Sequence, residues 1–196
     1  MATKKSQRIG IWIIAIAMLL GTVGSFAAMI LDTSNTQKDQ EELQKAYEEY
    51  QKQQEEQQKL AKELSAKYYE SFKPYESKPA SFDKGSVGDA VTTSDLKQGE
   101  GEEIKEDAKY LAYYIGWNPE GKVFDSSFDG ESLKAPIDTS QTTLIEGWNK
   151  GVTGMKVGGV REMTIPAKLA YGEAGSGENI PPNTPIKFIV MIVEKK

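Results

Sequence analysis

The pattern of hydrophobic and polar positions begins with one long uncharged stretch. Residues Ile9 to Leu31 carry no charged side chain and are mostly apolar. A helix that crosses a bilayer needs roughly 20 such residues, so the stretch predicts a transmembrane anchor over residues 9–31. Three basic residues (Lys4, Lys5 and Arg8) precede it. They predict that the tail of residues 1–8 is cytoplasmic and that the rest of the chain is extracytoplasmic.

The alternative interpretation of this stretch is a cleaved signal peptide. Ser25-Phe26-Ala27 resembles the small-residue site at which such peptides are cut. The apolar run is longer than the usual signal-peptide core of about 7–15 residues, which favours an uncleaved anchor. Either interpretation sends the remaining chain across a membrane.

A polar stalk with helical periodicity is predicted over residues 32–73. From Gln37 to Leu64 the sequence reads QKDQEEL, QKAYEEY, QKQQEEQ and QKLAKEL. Glu residues lie four positions before Lys residues, an order that stabilises an isolated helix. A cluster of helix-capping residues precedes the repeat, and Lys73-Pro74 ends it. The pattern therefore predicts one long helical stalk.

One side of this predicted stalk has the alternating spacing of a coiled coil. Its positions are Leu43, Tyr47, Tyr50, Gln54, Gln57, Ala61, Leu64 and Tyr68. Two of these residues are Gln and one is Ala, and a polar seam lowers the stability of a coiled coil. A single charge-covered helix is favoured, and weak self-association through the stalk stays open as the alternative.

The remainder predicts a linker and one globular domain. Residues 74–89 are rich in Pro, Ser and Gly, as in a linker, and residues 90–196 form the domain. Strands are predicted over residues 108–117, 122–128, 160–166 and 186–194, and the last, nearly all apolar or β-branched, is expected to be central. Residues 145–155 predict a short helix, and residues 129–143 read as irregular. These elements indicate an α+β fold with an antiparallel sheet curled over one helix.

Composition excludes most kinds of catalysis. The chain of 196 residues contains neither His nor Cys. It therefore lacks disulfides, His-activated nucleophiles and the usual zinc ligands, and neither a metal nor a cofactor is predicted. A net charge of −5 and a pI near 5.0 argue against nucleic acid as a partner.

The candidate chemistry lies between Leu144 and Pro182. This segment contains a Trp in a Gly-rich turn, a short amphipathic stretch, a strand, a Tyr-Gly turn and a double proline. Its conspicuous residues are apolar and aromatic, with a few neutral donors and no nucleophile. They indicate a site that binds an apolar group and acts through its surroundings rather than through a covalent intermediate.

The ordered motifs of this domain resemble those of FK506-binding proteins (FKBPs), a class of peptidyl-prolyl isomerases. The motifs are YYIG, KVFDSS, LIEGW, GVTGMKVGG, REMTIPAKLAYGEAG and IPPNTPIKF, followed by an apolar strand. The resemblance covers roughly residues 95–194, half of the chain. It implies a five- to six-stranded antiparallel sheet wrapped on one helix, with the pocket between them.

The resemblance also implies roles for individual residues. Four are expected to act on the bound peptide: Tyr114, Asp125, Ile145 and Tyr171. Five are expected to contact substrate: Phe124, Leu144, Trp148, Ile180 and Phe188. In this assignment Trp148 is the pocket floor, Asp125 is a buried carboxylate beside the bound amide, and the Ile145 N–H holds a substrate carbonyl.

Two segments depart from the family pattern. Residues 129–143 contain no aromatic residue where the family usually has a further aromatic wall. The loop of residues 175–179 is polar where family members often have an apolar residue. Both changes are expected to open one side of the pocket.

The function implied by the resemblance is cis/trans isomerisation of X–Pro bonds in extracytoplasmic polypeptides, as an aid to folding. Proline-containing polypeptides are the expected partners, and the segment Ile9–Leu31 is the expected membrane contact. A membrane-tethered module that holds clients with little catalysis is the main alternative. A third hypothesis makes the stalk the active part and the domain a spacer.

Overall fold

The computed structural model describes residues 37–196, with side chains of the first helix described from residue 44 onwards. The predicted anchor Ile9–Leu31 lies outside these residues. No helix in the described part is both long and apolar enough to cross a bilayer. The chain divides into two compact units, Met1–Gln57 and Gln58–Lys196.

Helix α1 confirms the predicted stalk helix and spans Gln37–Phe72. Within the first unit the side chains of residues 44–49 are exposed, and tyrosine hydroxyls accept hydrogen bonds from glutamine amides one turn away. The helix ends where Lys73-Pro74 predicts, because proline cannot continue the hydrogen-bond ladder. A 3-10 turn, Lys73–Tyr75, follows it.

The second unit is built on a six-stranded antiparallel sheet. Its strands are β1 (Thr92–Lys97), β2 (Tyr110–Trp117), β3 (Val123–Ser126), β6 (Ile137–Asp138), β7 (Val160–Ile165) and β8 (Ile186–Lys195). The order is β1-β7-β8-β2-β3, with β6 also paired to β2. Strand β8 is central, as its apolar sequence predicts. Strand β1 is entirely exposed at the sheet edge, so its polar sequence carries no alternation that would predict a strand.

Residues 129–143, expected to be irregular, contain more order than their sequence indicates. Two short strands, β4 (Phe128–Asp129) and β5 (Ser132–Leu133), form a hairpin of their own, and β6 pairs with β2. Each strand is only two residues long, too short to leave a periodic signal. Non-local pairing, rather than local pattern, sets their structure.

Helix α2 (Glu146–Val152) is shorter than the predicted helix of residues 145–155. Gly154 has a φ of +81°, a conformation that glycine adopts readily and that cannot continue a right-handed helix. The helix packs against β7 and buries Trp148 and Val152 in the core. The predicted α+β arrangement, a sheet with one short helix on one face, is thus confirmed for this unit.

The sheet has a hydrophobic cluster on each face, and β2 alternates between them. Tyr110 and Ala112 belong to the cluster that includes Trp148 and Phe188. The odd-numbered residues of β2 belong to the other cluster, namely Leu111, Tyr113, Ile115 and Trp117. The end of α1 covers this second face through Leu64 and Phe72. Two positions of the supposed coiled-coil side, Leu64 and Tyr68, thus pack on the domain of the same chain.

The predicted linker of residues 74–89 also lies against the domain. Tyr75 and Phe82 pack on the second cluster. The Trp117 indole N–H donates to the Ala80 carbonyl at 3.0 Å, and the Phe82 N–H donates to the Pro119 carbonyl at 2.9 Å. These residues therefore extend the folded unit rather than separate it from α1.

Removing the Tyr113 hydroxyl is expected to stabilise the protein. This hydroxyl is a buried donor without an acceptor in the described part of the chain. Burial, with Tyr68 nearby, raises the pKa of Tyr113 to about 12. Replacing Tyr113 with Phe removes this desolvation cost, so we expect the free energy of unfolding at pH 7 to rise by about 1 kcal/mol. Chemical denaturation of the full chain measures the change.

The matched control is Tyr110→Phe, since the Tyr110 hydroxyl does have a partner, the Trp148 indole N–H at 2.9 Å. This variant should lose about 1 kcal/mol because a buried donor is left unpaired. Stability from the raised pKa of Tyr113 is complete below pH 10, the unfolded value, and is lost as pH rises to about 12. Tyr113→Phe should flatten that loss, and a destabilised Tyr113→Phe variant would contradict the prediction.

Candidate functional site

The pocket side of the sheet carries a group of four aromatic rings. Trp148 on α2 meets Phe188 on β8 with ring centroids 5.1 Å apart, and it meets Tyr114 on β2 at 5.5 Å. Phe124 on β3 lies 5.5 Å from Phe188. All three contacts are edge-to-face, the geometry that aromatic quadrupoles favour. The rings therefore fix one another's orientation and form an apolar group on this face of the sheet, in which Tyr114 and Phe124 are half-buried.

Trp148 is the most buried ring of this aromatic group. It is 2% exposed, and its indole N–H donates to the Tyr110 hydroxyl at 2.9 Å. A Cβ on the preceding Gly147 would lie 2.2 Å from Ile165 Cγ2, so glycine allows α2 to approach β7 closely. This close approach and the buried hydrogen bond together hold the indole in one position.

A carboxylate and two tyrosines give the pocket its polar side. The Tyr114 hydroxyl donates to Asp125 Oδ2 at 2.5 Å. Burial, together with the Asp125 carboxylate, raises the pKa of Tyr114 far above its usual range. Burial and the same carboxylate also raise the pKa of Tyr171. Both phenols therefore stay protonated at physiological pH and remain hydrogen-bond donors.

Asp125 corrects one expectation. The resemblance implies a buried carboxylate, but Asp125 is exposed on β3, so that expectation of burial is wrong. The carboxylate is nevertheless oriented, because Oδ1 accepts from the Ser126 N–H at 2.8 Å while Oδ2 accepts from Tyr114. Two hydrogen bonds thus hold the carboxylate beside the aromatic group.

The loop of residues 171–183 packs against the same cluster through Tyr171 and Ile180, and hydrogen bonds restrict its conformation. The Ser176 N–H donates to the Ile180 carbonyl at 2.7 Å, and Asn118 Nδ2 donates to the Asn179 carbonyl at 2.9 Å. Gly175 has a φ of +65°, and a Cβ there would meet the Ile180 carbonyl at 2.5 Å. Ile180 itself is buried in the pocket-side cluster.

The rim before α2 is formed by Leu144 and Ile145, both half-buried against the same cluster. The Ile145 carbonyl accepts from the Trp148 N–H at 3.1 Å and so starts the helix. The Ile145 N–H has no acceptor in the described part of the chain. Among the described residues it is therefore available as a backbone donor at the rim.

The structure gathers the apolar candidates in one place. Eight of the nine lie in or against the pocket-side cluster: Tyr114, Phe124, Leu144, Ile145, Trp148, Tyr171, Ile180 and Phe188. The ninth, Asp125, joins them through Tyr114. Tyr110, which accepts the Trp148 indole N–H, is not among these candidates, although it shares the alternation of Ala112 and Tyr114 on β2.

The segment of residues 129–143 contributes only Ile137, half-buried, to this cluster. In the described part of the chain no group of acidic side chains is arranged to hold a metal ion. The site therefore consists of aromatic faces, two phenol hydroxyls, one carboxylate and a backbone N–H. Such a set can bind an apolar ring and hydrogen-bond the carbonyls beside it.

Comparison with known proteins gives the class of this domain. The family model described as FKBP-type peptidyl-prolyl cis-trans isomerase matches residues 100–193. An FK506-binding protein of Neisseria meningitidis is 38% identical over 106 residues, which cover 54% of this chain and 95% of that protein. The chain belongs to the family of FKBP-type peptidyl-prolyl cis-trans isomerases.

Relatives in which this domain is one part of a longer protein are also similar. FK506-binding protein 4 of Rhizopus delemar is 39% identical over 102 residues, 52% of this chain and 26% of that protein. The chain thus spans about a quarter of the length of this relative. A crystal structure of a peptidyl-prolyl cis-trans isomerase from Pseudomonas syringae is 25% identical, with a TM-score of 0.48, over 66% of this chain and 92% of that one.

Proposed function

We propose that this protein catalyses cis/trans isomerisation of X–Pro bonds in polypeptides. The observation that carries the proposal is the aromatic group of Tyr114, Phe124, Trp148 and Phe188 beside the oriented Asp125 carboxylate. A proline ring is a compact apolar group of the size that such rings accommodate. Its flanking carbonyls then lie within reach of neutral donors at the rim.

The chemistry needs no reactive side chain. Resonance gives the amide C–N bond partial double-bond character and a barrier of roughly 18–20 kcal/mol, and the twisted transition state loses that resonance. A dry aromatic surface favours the twisted amide over the planar one, which depends more on hydration. The Tyr171 hydroxyl and the Ile145 N–H would hold the neighbouring carbonyls in place without a proton transfer.

The direct test is a protease-coupled isomerisation assay with an X–Pro peptide and the purified full chain. We expect catalysed isomerisation that falls by about tenfold or more in a double variant, Asp125→Asn with Tyr171→Phe. The matched control is Tyr47→Phe on the exposed part of α1, which should keep full activity. Failure of the full chain to accelerate isomerisation would remove the proposal.

We also propose a cellular location for the protein. Ile9–Leu31 would anchor the chain in a membrane, with the tail of residues 1–8 in the cytoplasm and the isomerase domain on the extracytoplasmic side. Clients would then be proline-containing polypeptides that fold near that surface. The mass of the protein from the membrane fraction separates an anchor from a cleaved segment. In right-side-out vesicles, protection of the domain from added protease would contradict the extracytoplasmic orientation.

One observation favours a second candidate, a tethered holdase with weak catalysis. Residues 129–143 contribute no aromatic ring to the pocket, so one side of it is less enclosed. A catalytically weak variant that still prevents client aggregation as well as the wild type, together with negligible isomerisation by the wild type, would favour this candidate over the isomerase.

A further inference from the structure

The end of α1 is packed on the domain through specific contacts, not only through apolar burial. We call residues 58–72 the docked segment. Phe72 is 0% exposed and stacks in parallel on Phe128, with ring centroids 5.1 Å apart and planes 4° apart. The Ser65 hydroxyl accepts the Leu133 N–H at 2.8 Å. Phe128 and Leu133 are paired across the β4–β5 hairpin, so the docked segment contacts both strands of the hairpin.

This hairpin is separate from the main sheet in the described part of the chain. It forms a two-stranded ladder of its own, with Phe128 opposite Leu133 and Asp129 opposite Ser132. An isolated two-stranded hairpin is marginally stable in water. Its conformation therefore depends on what it packs against, and the docked segment supplies the stack and the hydrogen bond just described.

Hydrogen bonds connect the hairpin to Tyr114 and, through it, to Asp125. The Lys134 N–H donates to the Ser127 carbonyl at 2.8 Å. Ser127 in turn donates its N–H to the Tyr114 carbonyl at 2.8 Å and accepts the Tyr114 N–H on its hydroxyl at 2.9 Å. Asp125, two residues before Ser127, accepts from the Tyr114 hydroxyl. One continuous set of contacts thus runs from α1 to the carboxylate.

We propose that the docked segment is part of the isomerase, and that Ser65 and Phe72 are positioning residues for the Asp125–Tyr114 pair. The inference rests on the proposed isomerase function. Asp125 is exposed, so neighbouring core packing does not confine the carboxylate. Asp125 is paired with Gly116 through β3, and the chain leads from there directly into β4, which the docked segment holds through the hairpin.

The test uses the full chain with three substitutions outside the pocket: Ser65→Ala, Phe128→Ala and Phe72→Leu. We expect each to lower kcat/KM for an X–Pro peptide by about three- to tenfold, because small displacements of an acting group lower the rate strongly. The loss should fall mainly on kcat, since the aromatic contacts that bind proline lie on the other face. Phe72→Leu keeps an apolar side chain, so this variant should stay folded and a loss of activity would not reflect unfolding.

A second measurement separates positioning from general destabilisation. Amide hydrogen exchange at Ser127, Leu133 and Lys134 should rise about fivefold in Ser65→Ala, while the amides of β7 and β8 keep their protection. Combining Phe72→Leu with Phe128→Ala should reduce kcat/KM no further than either change alone, because both remove the same stack. Leu60→Ala is the matched control, since Leu60 lies on the same helix but is 45% exposed.

The outcomes distinguish this inference from the proposed function. A wild-type chain without isomerase activity overturns both. An active wild type whose three variants keep their kcat/KM overturns the inference alone. Uniformly faster exchange throughout the sheet, with a matching loss of activity, also overturns it, because the docked segment would then only stabilise the fold.

Discussion

Replacing Trp148 by Ala should lower the free energy of unfolding by about 3–5 kcal/mol and reduce isomerase activity below detection in the remaining folded protein. The indole is 2% exposed and contacts two other aromatic rings, Phe188 and Tyr114, at 5.1 and 5.5 Å. Its removal leaves a cavity and also takes the partner from the Tyr110 hydroxyl. Chemical denaturation and the peptide assay measure the two effects on the full chain.

A smaller change separates the pocket effect from the stability effect. Trp148→Phe keeps an aromatic ring but loses the N–H that donates to Tyr110, so it should cost about 1–2 kcal/mol and leave most molecules folded. We still expect kcat/KM to fall by about tenfold, because the smaller ring leaves the pocket less enclosed. Leu96→Ala, on an exposed strand position, is the control. Wild-type activity in folded Trp148→Phe and Trp148→Ala would show that the aromatic group is core packing and not a catalytic pocket.

Gly116→Ala should be nearly as damaging, although it adds a single methyl group. A Cβ at Gly116 would lie 2.4 Å from Phe188 Cε1 and 2.7 Å from Phe124 Cζ. Gly116 is paired with Phe188 across the β2–β8 ladder, so neither backbone can withdraw easily. The two rings must move instead, and overpacking of this kind costs about 1–3 kcal/mol. Because both rings belong to the pocket, kcat/KM should fall by about tenfold or more.

The matched control is Gly88→Ala, where an added Cβ would meet nothing within 4 Å. This variant should keep both its stability and its activity. Denaturation midpoints and kcat/KM for the two variants can be compared directly. Equal behaviour of Gly116→Ala and Gly88→Ala would mean that Phe124 and Phe188 are not held as closely as the structure places them.

Both predictions concern contacts that only the folded chain displays. Trp148 was identified from its Gly-flanked motif, but its partner Tyr110 is 38 residues away in the sequence. Gly116 reads as an ordinary glycine of the YYIG motif until Phe188 is placed opposite it. The candidate residues could be named from sequence motifs, whereas the contacts that fix their positions are seen only in the structure, because those contacts are non-local.

The same division holds for the fold. Helix α1 and strand β8 were predictable because each carries a long, regular pattern of its own. The sequence does not predict the polar edge strand β1 or the two-residue strands β4, β5 and β6. These segments are extended because they pair with other strands. The exposure of Asp125 was also missed, because burial depends on which elements pack around a residue.

The sequence by itself determined the class of domain and the helical stalk and supplied the candidate site residues, because ordered motifs and periodic patterns are local properties. Only the tertiary structure decided that the supposed linker and the end of α1 pack on the back of the sheet. It also decided that Phe72 stacks on Phe128 and that Ser65 holds Leu133. Those contacts join residues about 56–68 positions apart, a separation at which no local pattern reports which side chains meet.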